Sequence, residues 1–179
     1  ERMEEVVDGL QLTLALWGAE KPLSHQGKFF RVTEAVNMPL PVQKPHPPVW
    51  FGEAHPAILA ACARYGNGWN AVPVGYGEVK RRLELLAAAC AVEGRSIDEL
   101  ERSLETQILV APDTAGVRTA LQHMIDLDTT PDGKSGGKHH SELDGFLSGA
   151  TDELPQSVKD AWIIGTPDEV TAQLQSYID

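Results

Sequence analysis

Residues 47–72 constrain the fold more than any other stretch, because they place a strand, a tight loop, a helix and a second strand in quick succession. Pro47 and Pro48 force an extended entry. Val49-Trp50-Phe51 is a β-branched and aromatic run suited to a buried strand, and Gly52 ends it where the backbone bends or approaches something closely. Pro56 suits the first position of a helix, where its missing N–H would be unpaired anyway. Ile58, Leu59, Cys62 and Tyr65 then recur at helical spacing, with Ala60, Ala61 and Ala63 raising helix propensity. Gly66-Asn67-Gly68 stops that helix, and the next strand starts at Trp69. Two strands joined by so short a helix pair in parallel, which implies an α/β fold.

The whole chain extends the pattern. Its 179 residues are 42% hydrophobic and 23% charged, enough for one α/β domain over 1–179 with a sizeable core. The formal net charge of −11 argues against nucleic acid or an anionic membrane as the main partner. Cys62 and Cys90 lie on alanine-rich helix faces and read as buried free thiols. There is no signal peptide and no apolar run of spanning length (about 18 residues), so the cytoplasm is the expected location.

Met3, Val6, Val7, Leu10, Leu14 and Trp17 form one apolar helical stripe, with Glu1, Glu4, Glu5 and Asp8 on the other side. With no start methionine and no cap before Glu1, the chain reads as a piece of a longer protein. Gly18 ends the helix, residues 23–32 form a short extended excursion, and the prolines at 39, 41, 45, 47 and 48 make residues 36–48 a stiff connector. A long helix over 78–93 is closed by Gly94. Ser96 to Glu99 fits a capping box, and residues 104–110 form a third strand with a buried Ile108-Leu109-Val110 end. The spacing thus predicts parallel strands near 48–52, 69–73 and 104–111. Asp113-Thr114 opens a helix carrying Val117, Leu121, Met124 and Ile125. Short helices are expected over 143–150 and 153–160. Ile163-Ile164 lead into a final helix capped by Thr166, with Pro167 first and Glu169 as its capping acid.

Residues 128–140 are expected to be an exposed, flexible insertion, being rich in Gly, Pro and polar side chains. Gly133-Lys134-Ser135 is not a phosphate loop, since position 128 is Asp where that motif needs glycine. His139-His140 have no accompanying ligand pattern, so no metal site is assigned. Trp50, Trp69 and Trp162 read as core packing rather than ring-stacking platforms. Asp113 fits a helix start as well as a catalytic carboxylate. No nucleophile–base pair emerges, so the catalytic residues are unassigned.

Pro41 to Gly52 (Pro-Val-Gln-Lys-Pro-His-Pro-Pro-Val-Trp-Phe-Gly) followed by Ala-Arg-Tyr-Gly-Asn-Gly-Trp-Asn at 63–70 resembles the luciferase-like monooxygenase family of flavin- and deazaflavin-dependent oxidoreductases. Leu16-Trp17 with Gln26-Gly27-Lys28-Phe29-Phe30, Glu93-Gly94-Arg95-Ser96, and Ile164-Gly165-Thr166-Pro167-Asp168-Glu169-Val170 are similar to further family stretches in the same order. The chain departs at Gly52-Glu53, where many members carry two glycines, and at Gly66-Asn67-Gly68, where an Ala-Asp-Gly type sequence is commoner.

The resemblance implies a (β/α)₈ barrel, of which this chain would be the C-terminal half: a partial TIM barrel with parallel strands five to seven and flanking helices, lacking the first four strands and the last. It implies FMN or the deazaflavin coenzyme F420 as cofactor, hydride transfer to or from a small organic substrate, and little activity in the isolated piece. Such barrels carry their sites on loops after the strands, here 52–56, 73–77 and 111–114. Gly52, Glu53, Ala54 and His55 are the candidate cofactor contacts, next to a helix start expected to offer free N–H groups to a phosphate. Glu53 would meet a hydroxyl or point away, and His55 either contacts the cofactor or caps the helix. A homo-oligomer, or pairing with the missing barrel half, is the expected assembly. The competing reading is a non-catalytic half-barrel that pairs with another chain through its open sheet edges.

Overall fold

The computed structural model describes residues 1–72, 74–127 and 140–178. The proposed insertion at 128–140, the rejected phosphate loop and the His139-His140 pair lie outside or at the border of these residues. The chain divides into two compact units, residues 1–71 with 81–103, and residues 72–80 with 104–179.

The first unit begins with α1 (Arg2–Gly18) and a hairpin of β1 (Leu23–Gln26) and β2 (Arg31–Ala35), paired antiparallel. Asp8 was expected on the solvent side of α1. Instead it is the buried residue of that helix, and its carboxylate accepts the backbone N–H groups of Lys28 (3.2 Å), Phe29 (2.7 Å) and Phe30 (2.9 Å) at the hairpin turn. A carboxylate can be buried when fixed donors replace its water. Gly27 makes this possible, since a Cβ there would collide with the Asp8 carboxylate.

β3 (Trp50–Phe51) pairs in parallel with β4 (Gly68–Ala71), Trp50 opposite Gly68 and Phe51 opposite Trp69, around α2 (Pro56–Tyr65). The expected parallel unit is therefore present. Asn67 fixes its register: Oδ1 accepts Val49 N–H at 2.8 Å while Asn67 N–H donates to Val49 O at 2.8 Å. Ile58, Leu59, Cys62 and Trp69 are buried together with Leu86 and Cys90. These last two lie on α3 (Tyr76–Val92), which Gly94 closes in a left-handed conformation, φ +70°. Trp50 departs from its expected core role. It is 43% exposed, its indole lying over Gly68, because the two-residue strand turns its first side chain outward.

The third predicted strand is two strands in different sheets. β5 (Glu101–Leu104), entered from the expected capping box at Ser96–Glu99, lies beside β4. β6 (Gln107–Val110), in the second unit, pairs in parallel with β7 (Trp162–Gly165). The polar pair Glu105-Thr106 separates strands with different neighbours. β7 is a further strand, not among the three predicted: Trp162-Ile163-Ile164-Gly165 pairs along the whole of β6. The buried end predicted for β6 is half right. Leu109 is buried, whereas Ile108 and Val110 are 51% and 52% exposed, because strand side chains alternate and only one face meets helices.

That covered face is the second unit's core. Leu109, Ala111 and Ile164 pack with Val117 and Leu121 of α4 (Thr114–Leu127), Leu143 and Phe146 of α5 (His140–Leu147) and Val158 of α6 (Gln156–Lys159). Partly buried Trp162 packs against this cluster, as expected of a core residue. α7 (Pro167–Ile178) follows β7, and Glu169 accepts both the N–H and the hydroxyl of Thr166 at 2.8 Å. Among the described residues, no helix is long and apolar enough to cross a membrane.

Candidate functional site

The loop after β3 brings Gly52, Glu53, Ala54 and His55 together between a parallel strand and a helix start, the arrangement their spacing predicted. Buried Trp69 pins it from below, its indole Nε1 donating to the Glu53 carbonyl at 3.2 Å. Above Gly52 the space is open. A Cβ built there would approach only the Asn70 carbonyl, at 4.0 Å, so nothing among the described residues requires glycine at this position.

The Ala54 N–H and the first-turn N–H groups of α2 are already engaged. Glu53 Oε1 turns back to accept the Ala54 N–H at 2.7 Å. His55 is the N-cap of α2: its Nδ1 accepts the Ala57 N–H at 3.2 Å, and its carbonyl accepts those of Ile58 and Leu59 at 2.8 and 3.0 Å. The free first-turn N–H groups expected at Pro56 are therefore not free, because histidine and its carbonyl satisfy them locally. Both Glu53 and His55 are solvent-exposed side chains, free to rotate away. An anion or hydroxyl could then take the Ala54 and Ala57 donors, and a ligand backbone or ring could lie on Gly52. As they stand, Glu53 and His55 occupy the donors that a cofactor phosphate at this loop would need.

A second set of strand ends belongs to the other unit. Gly165 closes β7 with φ +152°, and a Cβ there would meet the Glu169 carboxylate at 2.6 Å, so glycine is needed. Two hydrogen bonds from Thr166, backbone first, hold the Glu169 carboxyl below its ordinary pKa. Beside them lies a groove of about 510 Å³, lined by residues including Thr114, Lys159, Gly165, Glu169 and Gln173. Sequence reasoning missed this site along with β7. The signal was present, since Trp-Ile-Ile-Gly followed by Pro167 repeats the strand–Gly–Pro pattern of Val-Trp-Phe-Gly before Pro56. Asp113, left open as catalyst or cap, accepts the Gly116 N–H at 2.7 Å and caps α4.

Cys62 and Cys90 are both buried and free, as expected. Burial pushes the Cys62 thiol up to about 11 and raises that of Cys90, which makes both poor nucleophiles. Among the described residues, no group of three or more His, Cys, Asp or Glu is placed to hold a metal ion.

A family model described as luciferase-like monooxygenase matches residues 1–179. An F420-dependent glucose-6-phosphate dehydrogenase of Mycobacterium avium (strain 104) is 25% identical over 185 residues, covering all of this chain and 52% of that protein. Among solved structures, an F420-dependent secondary alcohol dehydrogenase in complex with an F420–acetone adduct matches 99% of this chain and 53% of its own, with TM-score 0.68 and 16% identity. A riboflavin lyase with modified FMN and riboflavin gives TM-score 0.68 and 17% identity, over 99% of this chain and 50% of its own. The chain spans about half the length of the curated relatives it matches. Its fold is α/β with parallel strands and helices, and its structural neighbours are (β/α)₈ barrels.

Proposed function

The chain belongs to the luciferase-like monooxygenase family, and on that premise we propose that it forms the C-terminal part of an oxidoreductase using F420 or FMN. The reaction is hydride transfer between that cofactor and a small organic substrate. The observation that carries this reading is the family match over residues 1–179, joined by relatives whose names specify F420 or FMN.

Residues 52–55 are the proposed cofactor contacts. Gly52 offers bare backbone to the cofactor, and the Ala54 and Ala57 N–H groups offer donors once Glu53 and His55 move aside. When bound, the flavin or deazaflavin supplies the ring that takes up or gives hydride. The chain's own part is to hold it: Trp69 fixes the loop backbone through the Glu53 carbonyl, and the start of α2 favours negative charge beside it. The remaining pocket wall comes from residues outside this chain, so the isolated 179 residues bind cofactor weakly and do not turn over.

Titrating the chain with FMN and with F420, alone and joined to the N-terminal and final segments of a full-length relative, tests this. Weak binding alone, strong binding when completed, and loss of binding in completed Gly52→Val are expected. Normal cofactor binding by the completed Gly52→Val protein would overturn the site. Tight binding with turnover by the isolated chain would overturn its dependence on the rest of a barrel.

A further inference from the structure

The first unit has a concave surface at the opposite ends of its strands from the Gly52 loop. It lies where the chain enters β3 and β4, encloses about 500 Å³, and is lined in part by Lys44, His46, Arg64, Tyr65, Asn67 and Arg95. We propose that this groove is a separate binding site for a small phosphate-bearing molecule.

Charge is the first argument. The chain carries 26 acidic and 15 basic residues, yet three cations and no carboxylate line this groove. The carbonyl end of α2 would ordinarily repel an anion here. Arg95 removes that obstacle: its guanidinium donates to Ala63 O at 2.8 Å and Gly66 O at 3.2 Å, and its Nε meets Glu99 at 3.3 Å. The charge of Arg95 is thereby used within the protein. Lys44 and Arg64 are different, because among the described residues no carboxylate pairs with either.

Pre-organisation is the second argument. Arg64 lies over the Tyr65 ring, 5.4 Å from its centroid, and Gln11 holds the Tyr65 hydroxyl at 2.9 Å. Asn67 Oδ1 is committed to Val49 N–H, so its amide NH₂ remains a donor. His46 is fixed by Pro47 O at 2.8 Å and packs against Trp17, 6.1 Å between ring centroids. Two unpaired cations, an amide donor and aromatic walls match a phosphate attached to a ring or sugar. The volume suits a molecule of nucleotide size, and the net charge of −11 disfavours a long nucleic acid.

The test titrates the 179-residue chain with pyrophosphate and with AMP, following heat and tryptophan fluorescence. Saturable one-site binding is expected, weakened by rising salt. Lys44→Glu and Arg64→Glu should each weaken it about tenfold or more, while Gly52→Val leaves it unchanged. Both reversed side chains are exposed, and circular dichroism checks that the variants fold; should one not, Lys44→Gln or Arg64→Gln replaces it. Absence of saturable binding, or equal binding by the reversed variants, would overturn the proposal. Loss of binding in Gly52→Val alone would also overturn it, because the anion would then sit at the loop after β3.

Discussion

Asp8 shows how much a single carboxylate can organise. It holds the β1–β2 turn through three backbone N–H groups, chiefly those of Phe29 and Phe30, and these keep its pKa below the ordinary carboxylate range. A pKa depressed by folding means that ionised Asp8 stabilises the protein above its unfolded value, about 3.9. The contribution is lost as pH falls through the lower, folded value. Asp8→Asn should therefore lower Tm at neutral pH, on the order of 5 °C. It should also flatten the acid limb of a stability–pH curve followed by circular dichroism. An unchanged acid limb in Asp8→Asn would show that other carboxylates set it. Cys62 gives the opposite case, a group silenced by burial. With its thiol raised to about 11, disulfide reagents at pH 8 should label it slowly in the native chain and rapidly in guanidinium. Fast native labelling would contradict the buried geometry.

Among the elements, those written in local chemistry were legible in the sequence. His55-Pro56 starts α2, Gly94 ends α3, Ser96 to Glu99 close a capping box, and Asp113 and Thr166 open α4 and α7. The parallel β3–α2–β4 unit followed for the same reason. What escaped depends on distant partners. Asp8 sits among acidic residues that do face solvent, and only the hairpin 20 residues on explains its burial. Residues 104–110 read as one strand because no local feature announces a change of neighbour between β5 and β6. At the candidate site the strand–loop–helix arrangement around residues 52–55 was legible. Where the Glu53 and His55 side chains turn was not, since it depends on competition among nearby donors. The second unit's elements depend on a junction equally hidden in the sequence. Arg118 lies over the Phe146 ring at 4.9 Å, donates to the Phe146 carbonyl, and meets Asp152 at 2.9 Å, tying α4 to the end of α5. Phe146, 1% exposed, fills the centre of that core. Phe146→Ala should cost about 3 kcal/mol, read as a lower urea midpoint at unchanged slope. A loss below about 1 kcal/mol, the range of volume-conserving swaps, would mean the core collapses around the gap.

For the whole molecule, the half-length match to its relatives gives meaning to the two faces of β6. Leu109 is covered by helices, whereas Ile108 and Val110 on the other face are about half exposed. In a closed barrel the inward face of every strand is packed by side chains from the remaining strands. Among the described residues that face of β6 stays about half exposed, and apolar strand surface beside open sheet edges invites association. Burying the exposed half of each side chain is worth about 1 kcal/mol, too little for a tight dimer from two residues alone. Sedimentation velocity on the isolated chain should thus show weak, concentration-dependent self-association. Replacing Ile108 and Val110 together by lysine should shift it toward monomer without unfolding, because Leu109 still anchors the strand to its helices. In a completed full-length protein the same double substitution should be severely destabilising, since both lysines would then be buried without partners. The contrast separates barrel interior from ordinary surface. If the double variant is tolerated in the completed protein, β6 does not face a barrel interior, and its exposed residues belong to the outer surface.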